Sequence, residues 1–389
     1  MLAINLRISI TSLPPLFPEF AHPAALHLSV GAESLLAAVP VVCFGVFSGV
    51  AAPLARRLGE ERVLGAALLL LAAGLLLRGA APGALLFPGT ALAAAAIALL
   101  NVLLPSLIKR RRPAQAGLLI GLYLLLLGIG GIIGSLAAVP LFSAAGGGSA
   151  GVRLTLGIWA LPALAAAALW LPQFRFRTRP GSSASHGVLA LGRHALAWQA
   201  TAFMGLQSLL YYAALSWFPT MFRDRGISAV HAGDLLALMN LGNAVTAMLM
   251  PMLAHRTPDQ RRLVSAALVM MGAGLTGAAF APVAVVVPAT FLLGLGQGAT
   301  LGLSIFIFTA RAPDPVTSAS LSAFGQGGGY LIASTGPLLI GLLHSATGGW
   351  SVPVAVLLAV AVLALVSGLL AARDRTLPAA GLIPSGRPA

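Results

Sequence analysis

Charged residues are scarce in this chain. Only 8% of its 389 residues are Asp, Glu, Lys or Arg, whereas 58% are hydrophobic. A soluble domain usually carries about 25% charged residues, and a surface with so few charges would aggregate in water. The same surface is favourable in a lipid bilayer, whose hydrocarbon core is apolar. The composition therefore excludes an ordinary soluble domain and predicts a membrane protein.

Cysteine and acidic residues are scarce as well. Cys43 is the only cysteine, which excludes an intrachain disulfide and a cysteine-based zinc cluster. We interpret it as a small buried apolar side chain. The net charge of +14 is a balance also found in nucleic-acid-binding proteins. However, the basic residues lie in short clusters between apolar runs, without the interleaved aromatics of a base-stacking surface, so we expect no nucleic-acid partner.

Apolar runs long enough to cross a bilayer recur along the whole chain. They are continuous rather than alternating, which indicates helices, and a helix rises 1.5 Å per residue across roughly 30 Å of hydrocarbon. Only helices and closed barrels satisfy their backbone hydrogen bonds there. We predict an all-α membrane protein with twelve transmembrane helices, near residues 1–18, 31–54, 63–80, 84–108, 116–142, 152–171, 195–220, 233–254, 263–281, 284–310, 318–344 and 351–372.

The distribution of arginine predicts the orientation. If the N-terminus is cytoplasmic, the large basic clusters all fall in cytoplasmic loops, and only four arginines fall on the outer side: Arg78, Arg153, Arg223 and Arg225. Basic residues are retained on the cytoplasmic side of a membrane. We therefore predict a multi-pass protein of a bacterial-type inner membrane with both termini in the cytoplasm. The first run lacks the basic flank and cleavage site of a signal peptide.

The chain also contains an internal repeat. Residues 55–62 resemble residues 254–261, and Arg111 and Pro113 recur as Arg311 and Pro313. The offset stays near 200 residues, so helices 1–6 map onto helices 7–12 in the same direction. Two parallel six-helix halves are the plan of major facilitator transporters. The predicted units are an N-terminal half (1–171), a cytoplasmic linker (172–194), a C-terminal half (195–372) and a cytoplasmic tail (373–389).

Five short motifs point to a particular family within the major facilitator superfamily. Together they resemble the family of cyanate permeases and 2-nitroimidazole transporters. The resemblance implies cyanate-like anions or small nitro-heteroaromatics as substrates, and a monomer. The motifs are NLRISITS at 5–12, PVVCFG at 40–45, NVLLPSLIK at 101–109, GLQS at 205–208 and DQRR at 259–262.

The chain departs from the family pattern at three positions. The family usually has proline at the position of Ile8, glycine at Pro14 and aspartate at Arg56. Its first helix also usually begins earlier, so the resemblance implies a first helix shortened by one or two turns. The loop after helix 2 would then connect the halves through groups other than that aspartate.

Arg7 is the most informative candidate for a site. Counted back from Pro18 along a straight helix, it lies roughly 16 Å deep, near the bilayer midplane. No acidic residue is predicted at comparable depth, since Glu33 and Asp234 fall near outer helix ends. A guanidinium without a counter-ion is costly there. We predict that Arg7 binds a substrate anion through its planar fork. The alternative is an arginine that snorkels to the cytoplasm or bonds backbone carbonyls.

Helix 7 carries the next candidates. Gln207 is the repeat partner of Arg7, and Tyr211 lies one turn later on the same face. They could offer amide and phenol donors to the substrate from the opposite half. The alternative is hydrogen bonding between helices, worth about 0.6 kcal/mol on average.

Weaker candidates lie on helices that border the central cavity in this architecture. For each of them we favour a role in helix packing over substrate binding. Tyr212 is expected to face away from Tyr211, and Asn240 ranks lower still. The weaker candidates are Asn101, Tyr123, Gln297, Gln326 and Tyr330.

Glycine-rich runs do not indicate a cofactor. The run near Gly130 and Gly134 lies inside an apolar helix with no preceding strand, so it fails the context of a dinucleotide loop. Its spacing, like that of Gly294 and Gly298, instead predicts close helix packing. We expect no cofactor and no metal.

Three function classes follow. We favour secondary transport of a small solute, which we expect to be anionic, by alternating access, with the lipid bilayer as the environment. A co-transported proton would have to travel with the substrate, because no midplane carboxylate or histidine is available. Export of a neutral or cationic drug predicts an acidic cavity residue, which is missing. An intramembrane enzyme needs a nucleophile beside a base, and Ser304 has no histidine at its depth. A non-transporting sensor on the same fold stays open.

Overall fold

The computed structural model describes residues 2–176, 178 and 190–378, and these residues form a bundle of α-helices. The helices are α1 (Leu2–Thr11), α2 (Phe17–Phe20), α3 (Val30–Leu58), α4 (Glu60–Ala80), α5 (Pro82–Arg111), α6 (Ala116–Ala144), α7 (Gly148–Gly157), α8 (Ala160–Trp170), α9 (Ala195–Asp224), α10 (Ala229–Ala254), α11 (Arg261–Phe280), α12 (Val283–Ala310), α13 (Pro315–Thr347) and α14 (Ser351–Ala371).

The twelve predicted segments all correspond to helical structure. Ten segments are long and apolar enough to cross a membrane, with α7 and α8 forming one of them. The two others are the first segment and α9. The first is interrupted after Thr11 by a 3₁₀ turn at Pro14–Leu16, because proline cannot donate the next helical hydrogen bond. α9 has 30 residues but a lower hydropathy, since it contains Gln207, Tyr211 and Tyr212.

Most helices extend beyond their apolar runs. α3 was expected near 31–54 and continues to Leu58, and α13 was expected near 318–344 and spans Pro315–Thr347. Helical hydrogen bonding does not stop where the hydrocarbon ends, so polar turns prolong each helix into the loops. At the start of α13 the Asp314 side chain caps the backbone N–H groups of Val316 and Thr317.

The repeat is visible in the packing of equivalent helix pairs. In the first half, a Cβ added at Gly74 of α4 would lie 2.6 Å from the carbonyl oxygen of Gly89 in α5. In the second half, a Cβ at Gly274 of α11 would lie 2.8 Å from the carbonyl oxygen of Ala289 in α12. Gly74 and Gly274 are 200 residues apart in the sequence, and so are Gly89 and Ala289. The predicted linker at 172–194 and tail at 373–389 lie largely outside the described residues.

The arginine-rich end is the end of the bundle that carries the basic clusters, and each half has a polar contact to a buried side chain there. In the first half Arg111 donates to the Glu61 carboxylate at 2.6 Å. In the second half Arg311 donates to the Gln260 side chain and to the carbonyl oxygen of Ala372. Burial lowers the pKa of the Arg311 guanidinium. Arg311 also lies 3.8 Å from the exposed carboxylate of Asp374. Equivalent positions therefore hold a short ion pair in one half, and a neutral acceptor with a longer ion pair beside it in the other.

The arginine-poor end is the opposite end of the bundle, and the two halves close against each other there. Arg223 of α9 forms a 2.5 Å ion pair with Glu19 of α2, and the rings of Phe17 and Trp217 are 6.1 Å apart. Gly341 of α13 packs directly against the Ser34 hydroxyl of α3, where a Cβ would overlap it. The structure is thus closed at the arginine-poor end.

Arg78, which the sequence predicts on the outer side, lies in the last turn of α4 and is buried between helices. It donates to the backbone carbonyl oxygens of Ser9 and Leu156, at 3.1 and 3.4 Å. These acceptors come from distant parts of the chain, so the burial of Arg78 could not be predicted from its neighbours in sequence.

Close helix contacts through glycine provide a test of this packing. A methyl group at Gly298 would overlap the carbonyl oxygen of Asn243, whereas one at Gly272 would meet only Leu358, at 3.9 Å. We expect Gly298→Ala to lower the free energy of unfolding by about 1–3 kcal/mol. Gly272→Ala should leave it unchanged or raise it by up to about 1 kcal/mol. Equal melting temperatures for the two purified variants would contradict the close contact between α10 and α12.

Candidate functional site

Arg7 meets the second half of the protein through Tyr211. Its Nη1 donates a 2.8 Å hydrogen bond to the Tyr211 hydroxyl, and its guanidinium carbon lies 5.1 Å from the centroid of the same ring. Arg7 forms no ion pair with any described acidic residue. The guanidinium has five N–H donors, so it retains donors for a ligand.

A hydrogen-bond chain continues from Tyr211 into two more helices. The Tyr211 hydroxyl donates to Asn240 Oδ1 at 2.9 Å. Asn240 Nδ2 donates to the Leu236 carbonyl at 3.0 Å and to the Ser135 hydroxyl at 3.4 Å. This hydrogen-bond chain therefore links α1, α9, α10 and α6. It also holds the Tyr211 hydroxyl in its position beside Arg7. Asn240 is more central than the sequence indicated.

All four tyrosines of the chain lie near Arg7. Tyr211, Tyr212, Tyr330 and Tyr123 each interact electrostatically with its guanidinium. The Tyr211 and Tyr212 rings contact edge to face with centroids 5.1 Å apart. The prediction that Tyr212 faces away from Tyr211 is therefore wrong. Both rings belong to one aromatic cluster because Tyr212 also packs against Tyr330, with ring centroids 6.5 Å apart. Phe44 packs against Tyr330 in turn and extends the cluster.

A cavity of about 250 Å³ lies beside this cluster. Its polar lining includes Arg7, Tyr211, Asn240 and Asn243, and the rest of its wall is formed mainly by apolar residues of α6 and α10. The cavity therefore has one polar side, with a single positive charge, and otherwise hydrocarbon walls.

Gln207 and Gln297 lie elsewhere in the second half. Gln207 is buried and donates to the Ser208 hydroxyl at 2.7 Å and to the Met204 carbonyl at 3.1 Å. Its Oε1 accepts from Thr300 of α12 at 3.5 Å. Gln297 is fully buried, and neither of its amide atoms bonds to a described residue. Neither glutamine lines the Arg7 cavity.

The remaining candidates divide between the tyrosine cluster and local contacts. Tyr123 donates to Asn101 Oδ1 at 2.8 Å. Asn101 therefore contacts the cluster through Tyr123 and does not line the Arg7 cavity. Tyr330 belongs to the cluster, as described above. Gln326 donates to Ser322 one turn earlier in α13, at 2.7 Å. A substrate contact by each of these residues stays a prediction.

Glu33 is a buried polar group that the sequence placed only near a helix end. It is 4% exposed, and its Oε1 has no hydrogen-bond partner among the described residues. It lies in the first turn of α3, at the arginine-poor end where the halves are closed.

The fold and the comparisons with known proteins agree. Residues 2–325 and 200–387 match the model of the Major Facilitator Superfamily. A bacterial homologue of the human lysosomal transporter Spinster, in an inward-facing and unoccupied conformation, superposes with a TM-score of 0.78 at 16% identity, covering 97% of this chain and 96% of that one. At that identity, the likeness concerns the fold alone.

Two Escherichia coli (strain K12) proteins are similar along nearly their whole length. The 2-nitroimidazole transporter is 40% identical over 380 residues, which cover 96% of this chain and 94% of that protein. The cyanate transport protein CynX is 32% identical over 351 residues, 90% of each chain. These likenesses define a multi-pass membrane transporter and not an enzyme. The chain belongs to the major facilitator superfamily, as its repeat and motifs predicted.

The Tyr211 hydroxyl can be tested as the link between the halves. Tyr211→Phe removes one hydrogen bond from Arg7 and one to Asn240. We expect it to lower the free energy of unfolding by about 1–2 kcal/mol. Tyr212→Phe is the matched control, since its hydroxyl bonds to no described residue. Similar losses in both variants, measured by thermal unfolding, would show that the Arg7–Tyr211–Asn240 chain contributes little.

Proposed function

We propose that the protein transports a small planar anion, or a nitro-substituted heteroaromatic, across the inner membrane by alternating access around Arg7. One observation carries this proposal. Arg7 lines a small cavity between the halves, and no described acidic side chain pairs with it. An uncompensated charge at membrane depth is costly. An anionic or strongly electron-rich group is its natural partner.

The geometry of a guanidinium favours planar oxygen acceptors. Its fork donates two parallel hydrogen bonds to a carboxylate, and the two oxygens of a nitro group are arranged in the same way. Tyr211 and Asn240 offer further polar atoms on the same side of the cavity. A cationic solute would meet only repulsion from Arg7, which argues against export of cationic drugs.

The cavity volume supports a small substrate. An engineered cavity of about 150 Å³ in another protein binds benzene. A cavity of about 250 Å³ therefore suits one ring with its substituents, or a smaller ion such as cyanate. The names of the two relatives, a 2-nitroimidazole transporter and a cyanate transport protein, fall within this size class.

In this mechanism the substrate is held by both halves. Arg7 binds it from the N-terminal half, which we propose to span 1–171, and Tyr211 from the C-terminal half, 195–372. The halves rock about the bound substrate and are joined by the linker at 172–194. Gln207 is engaged with Ser208 and Thr300 in the state described, so its predicted substrate contact belongs to the other state. Because one chain supplies both sides, the proposed transporting unit is a monomer.

Ligand-dependent thermal stability tests this proposal. Cyanate, nitrate, benzoate and 2-nitroimidazole would be added separately to purified protein, and the melting temperature recorded. A ligand at 100 times its Kd stabilises the folded state by about 2.7 kcal/mol. We expect at least one of these compounds to stabilise the wild type and to have no effect on Arg7→Gln.

Two controls accompany this experiment. Arg7→Lys keeps the charge but loses the planar fork, so an intermediate shift is expected. The melting temperature without ligand shows whether each variant folds. If only neutral compounds stabilise the protein, and do so equally in wild type and Arg7→Gln, the proposed site is wrong.

The orientation is proposed from the distribution of arginine and can be tested separately. In a Cys43→Ser background, Thr257→Cys adds a thiol to an exposed loop at the arginine-rich end. Ala346→Cys adds one to the arginine-poor end, where Ala346 is also exposed. An impermeant maleimide on intact cells should label the second variant and should label the first only after permeabilisation. The reverse pattern would place both termini outside.

A further inference from the structure

The Arg7 cavity is open on one side of the bundle. Six large apolar residues that line it also belong to the exposed surface, with exposures between 39% and 50%. A side chain can do both only where the cavity reaches the surface, and in a membrane protein that surface meets hydrocarbon. The six residues are Leu124 and Leu125 of α6 with Leu241, Val245, Met248 and Leu249 of α10.

The opening lies between α6 and α10 beside two close helix contacts, and we call it the α6–α10 cleft. Gly128 of α6 faces the Ala244 methyl group of α10, where a Cβ would lie 2.7 Å from it. Farther toward the arginine-poor end, Gly233 approaches the carbonyl oxygen of Ser135 in the same way, at 2.9 Å. The two helices are therefore in close contact at these two points, and the cavity opens beside them between larger side chains such as Leu125 and Val245.

The chemistry of the cleft changes from one end to the other. At its inner end Arg7, Tyr211 and Asn240 provide a positive charge and hydrogen-bonding groups. At its outer end the wall is aliphatic. A neutral hydrocarbon would leave Arg7 uncompensated, whereas a two-chain phospholipid exceeds a volume of about 250 Å³. The complementary ligand is a small amphipathic monoanion with one apolar substituent.

We propose that the α6–α10 cleft is a second part of the substrate site, which binds the apolar substituent of an amphipathic monoanion while Arg7 binds its charged group. Such ligands reach Arg7 sideways from the hydrocarbon core, in which they already partition. This inference rests on the proposed role of Arg7 in anion binding and extends the substrate class to substituted aryl carboxylates.

Chain-length dependence of binding tests the cleft. The probes are benzoate and its para-methyl, para-ethyl, para-propyl and para-butyl derivatives, and their Kd values are measured for the full-length protein in lipid nanodiscs. Burial of each methylene should tighten binding about fourfold in the wild type. Val245→Trp fills the mouth of the cleft and should flatten this dependence to less than twofold per methylene. Met248→Trp does the same from the next turn of α10 and replaces it if Val245→Trp does not fold.

A control variant separates the cleft from partitioning into lipid. Val269 of α11 is 66% exposed and does not line the cavity, so Val269→Trp should keep the wild-type dependence. The inference is overturned if the dependence is the same in Val245→Trp as in Val269→Trp, or is absent from the wild type while benzoate still binds through Arg7. If benzoate binds wild type and Arg7→Gln equally, or binds neither, the proposed function fails and the inference fails with it.

Discussion

The hydrogen bond between Arg7 and Tyr211 is the contact on which the rest of the site depends. It joins the two halves near the middle of the bundle and places the only positive charge of the cavity beside its polar wall. Asn240 and Ser135 hold the tyrosine hydroxyl from behind. A ligand anion bound at Arg7, as proposed, would use the donors that this hydroxyl leaves free, so substrate binding and contact between the halves would involve one guanidinium.

The scaffold around that bond is built by backbone contact rather than by large side chains. Gly74 and Gly274 bring equivalent helix pairs together in the two halves, and Gly298 does so between α10 and α12. In lipid, association of helices is not driven by exclusion of water, so close packing has to supply the attraction. Gly128 and Ala244 make a similar close contact between α6 and α10, and both line the cleft beside Arg7.

Much of this architecture could be predicted because the bilayer imposes a simple rule on sequence. A run of about 20 apolar residues is required for each crossing, so the segments were identifiable, and an arginine inside such a run was conspicuous. Side-chain direction was harder to predict. Tyr212 joins Tyr211 in one cluster, and Gln207 turns to Ser208 and Thr300, because neighbouring helices decide which face of α9 is filled. The burial of Arg78 was hidden for the same reason, since its acceptors are carbonyl oxygens of remote segments.

The asymmetry at the arginine-rich end has a mechanical consequence. Glu61 and Arg111 form a 2.6 Å ion pair in the first half, while in the second half Arg311 bonds to Gln260 at the matching place and reaches the Asp374 carboxylate only at 3.8 Å. Dissolved ions weaken attraction between charges, and they act much less on a neutral amide acceptor. The two repeats thus make an equivalent contact between helices with different chemical groups. A rise in ionic strength would therefore weaken the Arg111–Glu61 contact more than the hydrogen bond from Arg311 to Gln260, so salt would act unequally on the two halves at this end.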